Sequence, residues 1–378
     1  MSMARRSTSM EVSMSEWPGG NQPLPSPNAE VFIDADLMTQ SVPQVSCRQA
    51  AEVVQQHYGL RGDVKLLQGE RDLNFCLTVS PERRYMLKVI NAAESAEVSD
   101  FQTSLLLHIA RQAPELPIPR AIVTLDGQAE PIVDIGGVAL RVRVVSYLAG
   151  TPQHLAFPAV ALMHDLGDTL ARLDRALHSF THPAAKRSLL WDISRAEQVR
   201  PYLTYVRDRE QQQHISRVFD RYDEYVAPVL ASLRHQTIHN DLNPHNVLVN
   251  PQQPTQVAGI IDFGDALHAP LVCELATALA YQIGNGADPF EYVVPFVFAY
   301  HQQLPLTARE IALLPDLIAA RMALTMTIAQ WRASLYPANR DYLLRNLPYC
   351  WRSLRQMKNY TYDQCAARLY QACYGEEL

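Results

Sequence analysis

The sequence has few charged residues and few cysteines. Charged residues make up 19% of the 378 residues, below the roughly 25% of typical soluble domains, whereas 48% are hydrophobic. The six cysteines form no C-x-x-C pair, so neither a disulfide framework nor a zinc site is indicated. This composition excludes wholesale disorder and favours a globular chain with a large core.

Other absences narrow the range of partners. The net charge is −6 and the basic residues form no long run, which argues against a protein that neutralises nucleic-acid phosphates. No stretch approaches the roughly 18 uninterrupted apolar residues of a membrane span, and residues 1–30 carry no apolar signal core. We therefore expect a cytoplasmic protein without nucleic-acid or membrane partners. The negative charge suits a cationic small substrate, and the sequence indicates no oligomeric state.

Composition and periodicity divide the chain into three segments. Residues 1–45 are rich in Pro, Gly, Ser, Asn and Gln and predict a flexible tail. Ser46 and Gln49 have the spacing of a capping box that begins a helix, and strands dominate from there to residue 147. From 148 to 378 the pattern is mainly helical, interrupted by one hairpin. The sequence thus predicts an α+β protein of two lobes, with a cleft between them for small ligands.

The strongest chemical signal is an ordered pair of motifs. Residues 239–246 read H-x-D-x-x-x-x-N, and Asp262 then begins a D-F-G. Phosphoryl transfer needs a carboxylate to accept the proton of the acceptor hydroxyl, and oxygen ligands for Mg²⁺ on the nucleotide. Asp241 fits the first role, and Asn246 and Asp262 fit the second. His239 is expected to hydrogen-bond the loop backbone, because Asp241 already serves as the base.

Hairpin pairing links the two motifs. Residues 247–249 and 257–261 form two apolar runs around a turn rich in Pro and Gln. If Asn250 lies opposite Ala258, then Asn246 lies opposite Asp262. Directly opposed side chains are about 5 Å apart, so this register would bring both metal ligands together. Asp and Asn are also common in loops for purely conformational reasons, but the two motifs in this order favour catalysis.

A nucleotide site is predicted in the strand-rich lobe. Lys88 is expected to reach the cleft and the nucleotide phosphates, the alternative being an edge-strand lysine whose stem packs on the sheet. The preceding loop, residues 69–75, predicts nucleotide contacts, although a single glycine also suits an ordinary hairpin loop. The contacts would come from Gly69, Arg71 and Asn74.

The sequence offers several acidic partners for Lys88. The candidates are spaced by three along a predicted helix, so they share one part of its surface, and the pattern does not choose among them. They are Glu94, Glu97 and Asp100.

These residues resemble those of the aminoglycoside phosphotransferase and choline kinase superfamily, the small-molecule branch of the protein-kinase-like fold. Within it the chain is most similar to the hydroxylysine kinase group. The resemblance runs from about residue 46 to 356 and includes GERDLNF at 69–75, MLKV at 86–89, HNDLNPHN at 239–246 and GIIDFGD at 259–265. It implies ATP or GTP as donor, Mg²⁺ as cofactor, and backbone near Val145 and Tyr147 against the purine. Gln102 stands where other branches have the acidic partner of the lysine.

The resemblance also suggests an acceptor. We expect a small hydroxylated amine, 5-hydroxylysine or a similar hydroxyamino acid, with aminoglycosides, choline and homoserine as alternatives. Asp265 and Glu274 offer carboxylates for an ammonium group, and Arg321 or Arg332 offers a guanidinium for a carboxylate. Each of these four residues could equally have a structural role.

Two other functions fit the sequence less well. A protein kinase is disfavoured because only six residues lie between Gly264 and Leu271, which leaves no room for an activation segment. A nucleotide-binding protein without catalytic activity is disfavoured because the lysine, the base and the metal ligands are all present.

Overall fold

The structure, a computed structural model, describes residues 44–67, 72–284 and 288–375. Within these ranges the chain forms one compact unit. The predicted tail lies almost wholly outside the described residues, as do Gly69 and Arg71. The described part begins with the predicted helix.

Helix α1 (Cys47–Tyr58) starts at the capping box expected from the sequence. The Gln49 backbone N–H donates to Ser46 Oγ at 3.3 Å, and the Ser46 N–H donates to Gln49 Oε1 at 2.9 Å. The helix buries one apolar face on the sheet and ends at Gly59, whose φ of 66° is the left-handed conformation that glycine adopts without strain.

The first lobe is an antiparallel sheet. Its strands are β1 (Asp63–Leu67), β2 (Leu73–Ser80), β3 (Arg83–Val89), β4 (Ala121–Ile122), β5 (Ile132–Ile135) and β6 (Val138–Ser146). The spatial order is β1-β2-β3-β6-β4, and β5 pairs with β6. The predicted hairpin from β2 to β3 is confirmed. Helix α2 (Ala96–Gln112) lies between β3 and β4 in the chain and carries Gln102.

The remainder is mainly helical. Its α-helices are α3 (Val160–Leu177), α4 (Arg209–Arg221), α5 (Leu271–Leu279), α6 (Val293–Gln303), α7 (Ala308–Leu335), α8 (Arg340–Leu343), α9 (Leu347–Met357) and α10 (Tyr362–Tyr374). A 3-10 segment spans Ile193–Tyr205. The sequence pattern predicts helix over 209–235, and the structure divides this stretch into α4, a π-helical turn at Tyr222–Val226 and a 3-10 segment at Ala227–Ser232. Pro228 has no N–H, so a regular α-helix does not continue through it.

The helical periodicity of the sequence predicts a helix over 308–335, and α7 has these bounds. Thr307 and Glu310 form a capping box at its start. With 28 residues and a mean hydropathy of 1.6 over its most apolar window, it could span a membrane by length and composition, but 94% of that window is buried inside the fold. It is the central helix of the second lobe.

The helical lobe contains more strand than the single hairpin expected. The additional strands are β7 (Thr151–Pro152), β8 (His235–Ile238) and β11 (Leu267–Pro270), beside the predicted pair β9 (Val247–Val249) and β10 (Val257–Ile260). β8 pairs with β11, and β7 pairs with β9. The prediction missed them because runs of two to four residues are too short to show a period. Pairing of β8 with β11 brings the segments after Ile238 and before Leu267 side by side.

Helices α3 and α6 cross closely at Gly167. A Cβ atom there would lie 2.3 Å from the backbone oxygen of Phe296 and 3.0 Å from its ring. We therefore expect Gly167→Ala to lower the free energy of unfolding by about 1–3 kcal/mol, the cost of overpacking. In an uncrowded helix the same change stabilises by about 1 kcal/mol. Urea denaturation distinguishes the two signs, and an increase in stability would contradict the close crossing.

Candidate active site

The loop of residues 239–246 follows β8 in a strained turn. Asn240 has a φ of 66°, one of two positive values at non-glycine residues in the described ranges. Its backbone N–H donates to Glu274 Oε2 on α5 at 2.9 Å. Glu274 is completely buried, and burial raises the pKa of its carboxyl group. Glu274 therefore holds the loop from its buried side, and it does not line the cavity in which an acceptor would bind.

His239 ties the loop to the end of β10. Its Nδ1 accepts from the Asp241 N–H at 3.2 Å, so its Nε2 carries the proton and donates to the Ile261 carbonyl at 3.0 Å. The imidazole is buried and packs edge-on against the ring of Phe263. His239 thus hydrogen-bonds the loop backbone, as the sequence predicted.

Three side chains hold the Asp241 carboxylate. Oδ1 accepts from Arg321 Nη2 at 2.9 Å, and Oδ2 accepts from Asn243 Nδ2 at 2.9 Å and Asn246 Nδ2 at 2.8 Å. Burial raises the pKa of Asp241, the guanidinium of Arg321 opposes this shift, and the nearby Asp265 adds to it. The carboxylate is therefore fixed in one orientation, with 21% of the side chain exposed.

The Arg321 guanidinium is held by groups of the protein itself. The residue is 1% exposed, and its Nη1 donates to the carbonyls of Trp191 at 2.9 Å and Asn240 at 3.5 Å. Its other terminal nitrogen binds Asp241. Arg321 was predicted to bind the carboxylate of an acceptor. In the structure it binds the 239–246 loop and Asp241 instead.

Asn246 and Asp262 line the same cavity, but the predicted register between them was wrong. The observed pairs are Val249–Val257, Leu248–Gly259 and Val247–Ile260. A bulge between Val257 and Gly259 shifts the pairing by one residue. Asn246 therefore faces Ile261, whose N–H donates to its carbonyl at 2.9 Å. Asp262 follows with a φ of 64°.

The donors around Asn246 and Asp262 fit a hard cation. The Asn246 amide nitrogen donates to the Asp241 carboxylate and backbone carbonyl, so its oxygen is the atom that can bind a metal. Asp262 adds a carboxylate. Mg²⁺ usually takes one or two such protein ligands and completes its shell with phosphate oxygens and water. Within the described ranges no cluster of three or more His, Cys, Asp or Glu residues is suited to a metal.

The sheet contributes Lys88 on the opposite side. Lys88 lies on β3, an internal strand, so the alternative of an edge-strand lysine was wrong. Its Nζ lies 3.5 Å from Asp72 Oδ2, and its side chain is 18% exposed. Asn74 pairs with Lys88 across the sheet, and its Oδ1 is buried without a hydrogen-bond partner in the described structure. A buried acceptor of this kind indicates a position for a ligand group.

The structure separates the three acidic candidates for Lys88. Glu94 lines the cavity, Glu97 is exposed, and Asp100 accepts from His182 at 3.0 Å. Burial and the neighbouring Asp72 raise the pKa of Glu94, and Lys88 opposes this shift. The ion pair with Lys88 is instead made by Asp72, which was not among the predicted candidates.

Gln102 supports Glu94 and does not contact the lysine directly. Its Nε2 donates to Glu94 Oε2 at 3.4 Å, and its Oε1 accepts from Arg143 Nη1 at 3.2 Å. Arg143 is itself buried and bonded to Glu130 at 2.6 Å. A neutral amide at 102 thus joins a buried arginine to the carboxylate of the cavity.

One cavity of about 560 Å³ joins the two sides. Of the predicted site residues it is lined by Asn74, Lys88, Asp241, Asn246, Asp262, Asp265, Arg321 and Arg332. Glu274 is not among its lining residues, and neither are Val145 and Tyr147. Val145 is buried in the core, and the Tyr147 N–H donates to the Arg84 carbonyl at 3.0 Å. A purine contact near these two residues stays a prediction.

Part of the lining was not identified from the sequence. Besides Asp72, it includes Trp191, Tyr342 and Arg345. Asp72 stands within the conspicuous run GERDLNF, which could have suggested it. The others carry no local signal, because they reach the cavity from segments far apart in the chain.

Comparison with known proteins identifies the class. The phosphotransferase enzyme family, APH, matches residues 63–311, from β1 to the first turn of α7. The chain belongs to this family, and it is a phosphotransferase that acts on an alcohol group.

The similar proteins narrow the class to small-molecule kinases. The hydroxylysine kinase of Xenopus laevis is 27% identical over 339 residues, covering 83% of this chain and 90% of that protein. The hydroxylysine kinase of Danio rerio is 27% identical over 346 residues, covering 88% and 97%. Among solved structures, an amicoumacin kinase in complex with AMP-PNP, Ca²⁺ and Ami has a TM-score of 0.57 at 16% identity, covering 75% of this chain and 85% of that one. The protein is a small-molecule kinase with a protein-kinase-like fold.

The anchoring role of Glu274 can be tested by two substitutions. Glu274→Ala leaves the buried Asn240 N–H unpaired, so we expect a loss of about 1–3 kcal/mol in unfolding free energy and a lower kcat. Glu274→Gln keeps an oxygen acceptor and should lose less. Denaturant titration and steady-state kinetics measure both. Unchanged stability with a raised KM for the acceptor would instead restore the predicted contact with an ammonium group.

Proposed function

We propose that the protein transfers the γ-phosphoryl group of ATP or GTP to the hydroxyl of 5-hydroxylysine or a similar hydroxyamino acid, with Mg²⁺. The observation that carries this proposal is the shared cavity. It combines a fixed carboxylate at Asp241, oxygen donors at Asn246 and Asp262, and a lysine at position 88 on the opposite side. A cytoplasmic location remains our expectation, since the proposed donor is a nucleoside triphosphate.

The sheet side is suited to the nucleotide phosphates. Lys88 presents its ammonium beside Asp72, and the unpartnered Oδ1 of Asn74 lies in the same region. Phosphoryl transfer depends mainly on positioning and on stabilising charge. The Asp72 and Glu94 carboxylates would hold Lys88 toward the phosphates. Bound Mg²⁺ would supply neutralisation of phosphate charge, with Asn246 and Asp262 as its protein ligands.

Asp241 would act on the acceptor. Its carboxylate would receive a hydrogen bond from the acceptor hydroxyl, orient the oxygen toward the γ-phosphorus, and take the proton as the new bond forms. Hydrogen bonds from Arg321, Asn243 and Asn246 hold the oxygens in place before the acceptor arrives. Arg321 also keeps the carboxylate more ionised than burial alone would allow.

The acceptor end of the cavity suits a zwitterion. Asp265 lies close enough to Asp241 to affect its pKa, and Arg332 and Arg345 line the same cavity. An amino-acid acceptor has both an ammonium and a carboxylate, and the similar hydroxylysine kinases support one. Choline and kanamycin have no carboxylate to offer to these arginines.

An acceptor panel tests the proposal directly. We expect kcat/KM to be highest for 5-hydroxylysine, lower for homoserine, and lowest for choline and kanamycin, each measured with ATP and with GTP. Coupled detection of nucleoside diphosphate gives the rates, and reactions without Mg²⁺ are the control. A preference for kanamycin or choline would overturn the amino-acid acceptor and leave the kinase class intact.

The pH profile tests the roles of Asp241 and Arg321. Arg321→Met removes the cation that lowers the pKa of Asp241, so the raised pKa should rise further. Because the base acts when deprotonated, we expect the acidic limb of log kcat/KM to move to higher pH. Rates across pH 5 to 9 measure the shift, and thermal melting controls for folding.

Asp241→Asn is the matched control. Loss of a general base typically slows turnover about 10²- to 10⁴-fold, and nucleotide binding should be kept. An asparagine variant with the parent's rate, or an Arg321→Met profile shifted to lower pH, would contradict these roles.

A further inference from the structure

One face of α7 forms a wall of the cavity. Its lining residues are Arg321, Thr325, Ala329 and Arg332, spaced by four, four and three, so they lie on successive turns of one face. Arg321 marks the hydroxyl end, because it binds Asp241. At a rise of 1.5 Å per residue, Arg332 lies about 16 Å further along the axis. Its side chain leans back toward the helix N-terminus, over the small residues between the two arginines.

A second arginine comes from the segment after α8. The guanidinium carbon of Arg345 lies 3.7 Å from the centroid of the Tyr342 ring, and its Nη1 donates to the Tyr342 carbonyl at 2.9 Å. These contacts fix the direction of a side chain that is otherwise exposed. A guanidinium has five N–H donors in a planar fork, so most of them can still bind a carboxylate.

The same segment lies against the 239–246 loop. The Asn346 side chain hydrogen-bonds His245, and Arg345, Asn346 and His245 all line the cavity. Arg345 is therefore near the loop that carries Asp241, in the helical lobe. Lys88, by contrast, approaches from the sheet. This placement assigns Arg345 to the acceptor and not to the nucleotide.

Charge is unevenly distributed over the cavity wall. Asp262 and Asp265 lie near Asp241, and Arg332 lies about 16 Å along α7 from Arg321, which binds Asp241. Arg345 lines the same cavity. In 5-hydroxylysine the ε-ammonium is on the carbon next to the hydroxyl carbon, and the carboxylate is four carbons away. The ammonium next to the hydroxyl would thus lie near the carboxylates around Asp241. The acceptor carboxylate would lie near the arginines further along the cavity.

We propose that Arg345 and Arg332 form the subsite for the acceptor carboxylate and thereby determine the selection of amino acids over simple amino alcohols. The inference rests on the proposed function and deepens it. Arg345, held on the Tyr342 ring, supplies the oriented fork, and Arg332 supplies the second positive charge.

The test compares two acceptors that differ only in the carboxylate. They are 5-hydroxylysine and its decarboxylated form, 1,5-diaminopentan-2-ol. We expect Arg345→Ala to reduce kcat/KM for hydroxylysine roughly 10- to 100-fold, as for the loss of a charged hydrogen bond, mainly through KM. The value for the diamine should be unchanged. Arg345→Lys should be intermediate, because an ammonium cannot form the fork, and Arg332→Met should show a loss of the same selectivity.

Arg355→Ala is the matched control. Arg355 is exposed, its guanidinium carbon lies 5.8 Å from the Trp351 ring, and it does not line the cavity. Equal losses on both acceptors, no loss on either, or a raised KM for the nucleotide alone would overturn the subsite while hydroxylysine kinase activity stands. If the parent enzyme phosphorylates no carboxylate-bearing acceptor, the proposed function fails as well, so the two failures are distinguishable.

Discussion

The contact between the Arg321 guanidinium and the Asp241 carboxylate organises the helical lobe around its reactive group. A buried arginine on the central helix binds an aspartate on the 239–246 loop at 2.9 Å. Each ion needs the other, because an unpaired buried charge costs several kcal/mol. The same guanidinium donates to the carbonyls of Asn240 and Trp191, so it joins the helix, the loop and the residues just before the 3-10 segment. Glu274 and His239 brace the loop from its other side.

On the side proposed for the nucleotide, a second set of polar contacts surrounds Lys88. Lys88 is paired with Asp72, while Glu94 stands nearby on a chain of hydrogen bonds through Gln102 to the buried Arg143. An acidic residue at 102 would face Arg143 directly. With an amide there, the carboxylate is supplied by the segment before α2. The sheet thus keeps negative charge beside Lys88, although the helix position expected to carry it is neutral.

The distribution of charged side chains in the cavity underlies the proposed selectivity for zwitterionic acceptors. Asp262 and Asp265 lie near Asp241, where a hydroxyl and an adjacent ammonium would be placed, and Arg332 lines the cavity further along α7. The small residues Thr325 and Ala329 leave space between these ends. A zwitterionic acceptor can satisfy both ends at once, which a purely cationic compound cannot do.

The sequence by itself determined the elements whose signals are local. The capping box at Ser46, the bounds of α7, and the motif residues Asp241, Asn246 and Asp262 follow from short spacings, since caps, periods and catalytic loops are set within a few turns of chain. Tertiary structure decided the bulge that changed the hairpin register, the pairing of Lys88 with Asp72, and the burial of Glu274. It also turned Arg321 toward Asp241 and brought Arg345 to the cavity. The contact between Arg321 and Asp241 joins residues 80 positions apart. A local sequence pattern does not indicate which distant side chain will occupy a buried space.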